Sequence, residues 1–463
     1  MTLIKSISGI RGTIGGKIGE NLTPIDVVKF SASYATWLKG KNNNKKLKVV
    51  IGRDARISGK MVSSLVSNTL VGMGVDVIDL GLSTTPTVEI AVDLEKADGG
   101  IIVTASHNPK QWNALKLLNE KGEFIEDKDG QTILQIAENE SYIFVEVDEL
   151  GSYSKVKDYL EIHIDEVIKL PLVDAEAISK ANFKVVVDAV NSTGGIAIPN
   201  LLDRLGVECV KLYCDPTGEF PHNPEPLPEH LEEISKKVVE EGADLGLVVD
   251  PDVDRLAIVN EDGSMFGEEY TLVACCDYVL QNTPGNTVSN LSSSRALRDI
   301  TVKNGGKYEA SAVGEVNVVT LMKKNKAVIG GEGNGGIIYP ESHYGRDALV
   351  GVALFLSHLA KAKIKCSELR ASYPSYYMSK NKIVLTPDLN VDHILNLMAE
   401  KYKGEEISTI DGVKVDFDNE WVHLRKSNTE PIIRIYTESS TQEKADDLAK
   451  KIIKEIKEIA SIK

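Results

Sequence analysis

Hydrophobic and polar positions recur along this chain as one unit: a short β-branched run ending on a small or acidic residue, a polar loop, then a helical stretch. Lys48-Val49-Val50-Ile51-Gly52-Arg53-Asp54 is one instance and Leu245-Gly246-Leu247-Val248-Val249-Asp250 another. Phe183-Lys184-Val185-Val186-Val187-Asp188 is a third, followed by the loop Asn191-Ser192-Thr193-Gly194-Gly195. This spacing predicts βαβ units in mainly parallel or mixed sheets. No exact short-period repeat is present, so the unit reads as a duplicated α/β module rather than a solenoid.

Helix ends are marked by their chemistry. Thr23-Pro24 supplies a cap and an N1 proline ahead of Val27, Phe30, Tyr34, Trp37 and Leu38, with Gly40 as the stop and a solvated connector at 41–46. Ser440-x-x-Glu443 reads as a capping box opening a helix with Leu448, Ile452, Ile456 and Ile459 on one face. The segment 215–229 carries five prolines and is expected to be a loop packed over another element. Beyond about residue 370 the runs at 382–385, 412–417, 421–424 and 432–436 are separated by short turns, which predicts a small antiparallel sheet with helices. The expected division is 1–153, 154–256 and 257–368 as three related α/β domains, and 369–463 as a smaller α+β domain.

Composition changes the picture only where it excludes. The 463 residues, 42% hydrophobic and 26% charged, are ordinary for a globular protein of three domains, or four if they are small. A net charge of −15 argues against nucleic-acid and anionic-membrane partners, so an anionic small substrate would need a local basic pocket. Five cysteines form no C-x-x-C pair and read as buried reduced thiols. The first residues hold no apolar core of a signal peptide, and no run approaches the roughly 18 apolar residues of a membrane span. A cytoplasmic protein is expected.

Three constellations carry chemistry. Thr104-Ala105-Ser106-His107-Asn108-Pro109 follows the apolar strand 99–103 and sets a serine on a tight loop at a strand's carboxyl end, where open α/β sheets hold ligands. Taken alone it is also a plain turn, because a nucleophile and its base need facing side chains that sequence neighbours rarely supply. Asp250-Pro251-Asp252-Val253-Asp254-Arg255 places three carboxylates at alternate positions on one side of an extended loop. Such a set repels itself unless a cation lies among them, and oxygen ligands suit a hard divalent ion, Mg²⁺ where the substrate carries phosphate. A solvated acidic turn is the alternative. Arg425-Lys426-Ser427-Asn428-Thr429-Glu430-Pro431, with Arg434 beyond, can surround a phosphate from a hairpin turn. The glycine run 330–336, with Glu332 as its one charged group, and Lys116 are weaker signals.

Together these residues resemble the α-D-phosphohexomutase family, over essentially the whole chain and in the family's order. The resemblance extends to Gly9-Ile10-Arg11-Gly12 and to the proline-rich segment. It implies four domains around a central cleft and an enzyme that interconverts hexose 6-phosphate and hexose 1-phosphate. Ser106 would carry the phosphoryl group, and hexose 1,6-bisphosphate would be the bound intermediate and activator. It further implies Mg²⁺ on Asp250, Asp252 and Asp254 with a phosphoserine oxygen of Ser106, and Lys116 as the proton-transfer residue. Arg11 and Arg255 would hold the reacting phosphate beside His107. Glu332 and Asn334 would bind the sugar, and Arg425, Ser427, Asn428, Thr429 and Arg434 the distal phosphate. The sugar loop departs from the common Gly-Glu-x-Ser-Gly-His by carrying Asn334 and Gly336. Pro251 and Val253 stand where glycines are usual, and Ala312 where many members have a basic residue. Overall resemblance favours glucosamine phosphate as substrate, with a phosphomannomutase/phosphoglucomutase as the alternative. A sugar-phosphate substrate and a monomer or homodimer are expected. Two rivals lie outside the family: a haloacid-dehalogenase-type sugar phosphatase, on Asp250-Pro251-Asp252, and a non-enzymatic sugar-binding protein.

Overall fold

Each recurring apolar run is a buried strand in the computed structural model, which describes residues 2–6, 9–41, 46–384, 390–426 and 432–459. The first sheet has seven strands in the order Ile4–Ser6, Gly9–Thr13, Trp112–Leu118, Gly99–Val103, Lys48–Arg53, Asp76–Leu82 and Tyr153–Lys155. The second has four, ordered Leu256–Asn260, Leu245–Val249, Lys184–Asp188 and Glu208–Leu212. The third is ordered Tyr308–Ser311, Asn286–Asn290, Ala327–Glu332 and Gly336–Ile338. The same core recurs in all three: three parallel strands, then one antiparallel strand at the side of the strand latest in the chain. Crossover helices make the parallel pairings and a hairpin makes the antiparallel one. The fourth sheet is wholly antiparallel, ordered Tyr377–Val384, Ile432–Ser439, Trp421–Lys426, Val413–Asp416 and Glu406–Ser408. The fold is therefore three related α/β modules with mixed sheets and a smaller C-terminal α+β domain.

This repetition positions the chemistry. The serine loop joins Gly99–Val103 to Trp112–Leu118, and the three-carboxylate loop joins Leu245–Val249 to Leu256–Asn260. The glycine loop joins Ala327–Glu332 to Gly336–Ile338. All three are the same hairpin of the module, at the carboxyl end of a buried parallel strand. The basic loop at 427–431 likewise joins two antiparallel strands but lies outside the described residues.

The second and third modules share one continuous core, in which Val187 and Leu247 belong to the same cluster as Leu354 and Phe355. Its centre is the helix Ala348–Ala362, buried on every side from Ala348 to Ala360. The first module and the C-terminal domain have cores of their own.

Local expectations hold with adjustments. In Pro24–Lys41 the Asp26 N–H donates to Thr23 Oγ1 at 3.4 Å, while the Asp26 carboxylate accepts from Thr23 N at 3.1 Å. That helix runs through Gly40 instead of stopping there, and most of the expected connector lies outside the described residues. The last helix, Gln442–Ile459, is capped by Thr441, which accepts from Lys444 N at 3.2 Å, and not by Ser440. The preceding strand extends to Ser439, so the hydroxyl one position later meets the helix N-terminus. The proline-rich segment is a loop folded onto the first module: Phe220 lies 5.1 Å from the Arg56 guanidinium, and Glu219 pairs with Lys110 at 2.8 Å. All five cysteines are free; Cys275, Cys276 and Cys366 are buried, whereas Cys209 and Cys214 are only half-buried. Among the described residues no helix is long and apolar enough to cross a membrane.

Candidate active site

The serine loop is held under strain. Ser106 has φ +47°, in the left-handed region that costs a non-glycine residue of order 1 kcal/mol. Its Oγ donates to Asp250 Oδ2 at 2.8 Å and lies 3.3 Å from His107 Nδ1. The strain is overdetermined by Arg56, which is fully buried. Nη2 of Arg56 donates to the carbonyls of Ser106 and, at 2.6 Å, of Asn108. Nη1 donates to those of Pro109 (2.8 Å) and Trp112 (3.0 Å), and Nε to Asp54 Oδ2 at 3.0 Å. Every guanidinium N–H is thus used on the loop or on its anchor. Asp54 also accepts from Thr104 Oγ1 at 2.6 Å, and Thr104 Oγ1 accepts from Ser106 N at 2.9 Å.

Asp250, Asp252 and Asp254 are all fully buried, which rules out the solvated acidic turn. They converge through a tight turn, where an extended loop was expected: Val253 N donates to Asp250 O at 3.1 Å and Val253 has φ +64°. A β-branched residue rarely adopts that conformation, and here a buried side chain keeps it there. Asp250 Oδ1 accepts from the N–H groups of Asp254 (3.1 Å) and Arg255 (3.2 Å). One oxygen of each carboxylate lies within 4.8 Å of the others, and Oδ1 of both Asp252 and Asp254 has no hydrogen-bond partner. Burial, then the charges of Asp254 and Asp252, pushes the Asp250 carboxyl well above the usual carboxylate range. Orphaned oxygens beside a carboxyl driven to hold a proton are the signature of a donor set that fits a hard divalent cation.

Cations ring this triad. Lys116 lies opposite Ile102 in the first sheet, and its Nζ donates to Asp252 Oδ2 at 2.7 Å and Asp254 Oδ2 at 3.2 Å. Burial alone would lower its pKa, but Asp252 and Asp254 outweigh it and hold the ammonium above its ordinary value. Thr85 also donates its hydroxyl to Asp252 Oδ2. Arg11 is depressed by burial and by the neighbouring Arg255 guanidinium. Arg255 itself reaches from Nη1 to Glu225 Oε1 at 3.5 Å. His107 is pushed well below its usual range by burial and then by Arg255, so it is a neutral imidazole.

Glu332 is anchored at both oxygens. Oε1 accepts from Asn290 Nδ2 (2.8 Å) and Gly314 N (3.2 Å), and Oε2 lies 3.2 Å from Arg346 Nη1. Asn334 uses its side-chain oxygen inside the loop, on Gly336 N at 3.3 Å. Arg425 pairs with Asp411 at 2.8 Å, and the same Asp411 oxygen accepts from Val313 N at 2.9 Å. That links the basic loop to the segment that also holds Glu332. Arg434 is exposed and directly opposite Arg425 on one side and Lys382 on the other. Ser427, Asn428 and Thr429 lie outside the described residues.

The structure therefore gathers Ser106, His107, Lys116, Arg11, Arg255 and the three aspartates, and connects Glu332 to them. Sequence reasoning missed Asp54, Arg56, Thr85, Glu315 and Arg346. The only signals were Asp54-x-Arg56 directly after a strand and the Thr84-Thr85-Pro86-Thr87 helix start, neither of which names its distant partner.

Comparison with known proteins agrees with this order of loops. Models of phosphoglucomutase/phosphomannomutase match in sequence: alpha/beta/alpha domain I at 3–143, domain II at 161–263, domain III at 267–377 and the C-terminal domain at 384–455. A phosphoglucomutase/phosphomannomutase of Thermococcus kodakarensis is 37% identical over 453 residues, 96% of this chain and 98% of that one. A probable phosphoglucosamine mutase of Methanopyrus kandleri is 32% identical over 445 residues, 95% of each. The crystal structure of a phosphoglucomutase/phosphomannomutase family protein from Burkholderia thailandensis matches with a TM-score of 0.86 at 25% identity, covering 100% of this chain and 98% of that one.

Proposed function

Because the chain belongs to the phosphoglucomutase/phosphomannomutase family of phosphohexomutases, we propose that it interconverts hexose 6-phosphate and hexose 1-phosphate through phosphorylated Ser106, with glucosamine phosphate as its sugar. The observation that carries the reading is the Ser106 hydroxyl seated 2.8 Å from Asp250 Oδ2 at the edge of the buried triad. In the first transfer the bond from phosphorus to Ser106 Oγ breaks as the free hydroxyl oxygen of the sugar bonds to the same phosphorus. The bound 1,6-bisphosphate then turns in the cleft and returns its other phosphoryl group to Ser106 Oγ.

The chain's own residues divide the work. Arg56 fixes the serine loop, Arg11 and Arg255 hold the transferring phosphate, and neutral His107 lies beside the nucleophile. Lys116 Nζ exchanges the proton that the sugar hydroxyl loses and Ser106 Oγ gains. Glu332 accepts hydrogen bonds from sugar hydroxyls, and Arg425 and Arg434 bind the distal phosphate. Mg²⁺ held by Asp250, Asp252, Asp254 and a phosphoserine oxygen would supply charge neutralisation at the transferring group.

The glucosamine reading is supported by overall likeness and by the name of the relative that is 32% identical. The relative at 37% carries the other name, which makes a phosphomannomutase/phosphoglucomutase the second reading. ³¹P NMR with Mg²⁺, trace hexose 1,6-bisphosphate and glucosamine, mannose or glucose 6-phosphate in separate tubes tests both. A 1-phosphate signal with glucosamine alone supports the first; signals with mannose and glucose replace it with the second. Inorganic phosphate alone would make the enzyme a phosphatase. Ser106→Ala should abolish turnover while leaving the fold intact, and full activity in that variant would refute the phosphoserine.

A further inference from the structure

Arg346 belongs to no motif legible in the sequence, yet it makes the densest set of ionic contacts in the site. Its side chain is 9% exposed. Nη2 lies 2.7 Å from Asp254 Oδ2 in the three-carboxylate loop, and Nη1 lies 3.2 Å from Glu332 Oε2 in the glycine loop. Nε lies 2.9 Å from Glu315 Oε2, and the backbone N–H of Arg346 donates to Glu315 Oε1 at 3.1 Å. One rigid planar group thus spans loops of two different modules in three directions. A lysine ammonium, a single point charge on a flexible stem, cannot reproduce that fork.

The glycine loop is shaped around this side chain. A Cβ placed on Gly336 would lie 2.3 Å from Arg346 Cδ and 3.0 Å from its Cγ. Position 336 is where the common loop pattern of the family carries histidine, and in this chain the arginine stem occupies the space that any side chain there would enter. Ala312 lacks the basic residue that many members carry, while Arg346 brings a cation onto Glu315, three positions further along the same segment.

We propose that Arg346 is a positioning and specificity-determining residue for phosphoryl transfer: it aims Glu332 at the sugar, ties it to Asp254 beside the reacting group, and takes the place of a side chain at position 336. Asn290 and Gly314 fix one Glu332 oxygen and Arg346 fixes the other, so the sugar meets a carboxylate of set orientation. A shift of Glu332 is felt at Asp254 through one guanidinium. This inference rests on the mutase reading above.

The test is a cycle of Gly336→His, Arg346→Ala and the double variant, with Arg346→Lys alongside. Each is assayed as kcat/KM per folded molecule on the three hexose 6-phosphates and by thermal midpoint. Gly336→His alone is expected to lose roughly 100-fold in kcat/KM and to melt earlier, because the new side chain meets a fixed arginine stem. Removing the stem relieves that clash, so the double variant should lose about 10-fold less than the two single losses multiplied together. Arg346→Lys, which keeps the charge, should melt within a few degrees of wild type, yet lose roughly 30-fold in kcat/KM and change the preference among the three sugars. A purely structural arginine would leave that preference unmoved. The proposal is overturned if Gly336→His matches wild type, if the double variant is no better than the sum of its singles, or if Arg346→Lys keeps both rate and preference. Wild type inactive on all three sugars would instead remove the mutase reading, and this inference with it.

Discussion

Ser106 Oγ and Asp250 Oδ2, 144 positions apart in the chain, are 2.8 Å apart in the fold. Asp250→Ala removes both the acceptor of the nucleophile and one donor of the cation set. Turnover should fall by about 1,000-fold, the equivalent of roughly 4 kcal/mol of lost charge stabilisation. Mn²⁺ binding, followed by electron paramagnetic resonance, should weaken in parallel. A variant that binds Mn²⁺ as wild type does would place the cation elsewhere.

Arg56 and the carbonyl of Ser106 form a second such pair. Arg56→Lys keeps the charge beside Asp54 but offers three donors where five are in use. At least two buried acceptors lose their partners, which costs about 1–3 kcal/mol each. Urea unfolding should show a loss of about 2–6 kcal/mol, with kcat falling while KM for the sugar phosphate stays within twofold. The reverse pattern, KM rising at constant kcat, would mean that Arg56 acts on substrate binding and not on the serine loop.

Residues whose role is written in local pattern were legible in the sequence; residues defined by distant partners were not. The runs at 184–188 and 245–249 are buried on both faces, so a continuous apolar stretch announces them. The alternate aspartates of 250–254 also carry their meaning locally, although the turn that gathers them needed the structure. Arg56 reads as an ordinary surface arginine, because its carbonyl partners lie 50 to 56 positions downstream. Arg346 reaches back 92 positions to Asp254 and 31 to Glu315. Asn334, expected at the sugar, is a turn former that uses its side-chain oxygen within its own loop.

Three modules meet at His343, and this makes stability depend on pH. Nδ1 lies 3.3 Å from Glu89 Oε2 and Nε2 lies 3.2 Å from Asp347 Oδ2, which His163 Nε2 also approaches at 2.9 Å. Burial would lower the His343 pKa, but Asp347 and Glu89 outweigh it and raise it from 6.5 to about 10. A proton held more tightly in the folded state stabilises fully below the unfolded pKa and is lost as pH rises through the folded one. Stability should therefore decline between pH 6.5 and about 10. Urea midpoints at each pH should fall by the equivalent of a few kcal/mol in wild type, with a shallower slope in His343→Gln. Parallel curves for the two proteins would remove His343 as the origin.

The row Lys382, Arg434, Arg425 runs directly across three antiparallel strands. Directly opposite residues share one face of the sheet, where like charges destabilise by up to about 1 kcal/mol. Arg425 is relieved by Asp411 at 2.8 Å, whereas Arg434 is exposed. Such a row costs the empty fold something and gains when an anion binds across it. Arg434→Gln should therefore leave the ligand-free protein as stable as wild type or slightly more so, with the difference vanishing in high salt. The same variant should raise KM for the sugar phosphate by roughly 10- to 100-fold, the equivalent of one charge-assisted hydrogen bond of about 1.5–3 kcal/mol. Inorganic phosphate should raise the melting temperature of wild type more than that of the variant. If Arg434→Gln instead destabilises the ligand-free protein and leaves KM unchanged, the row of cations supports the sheet and the distal phosphate is held elsewhere.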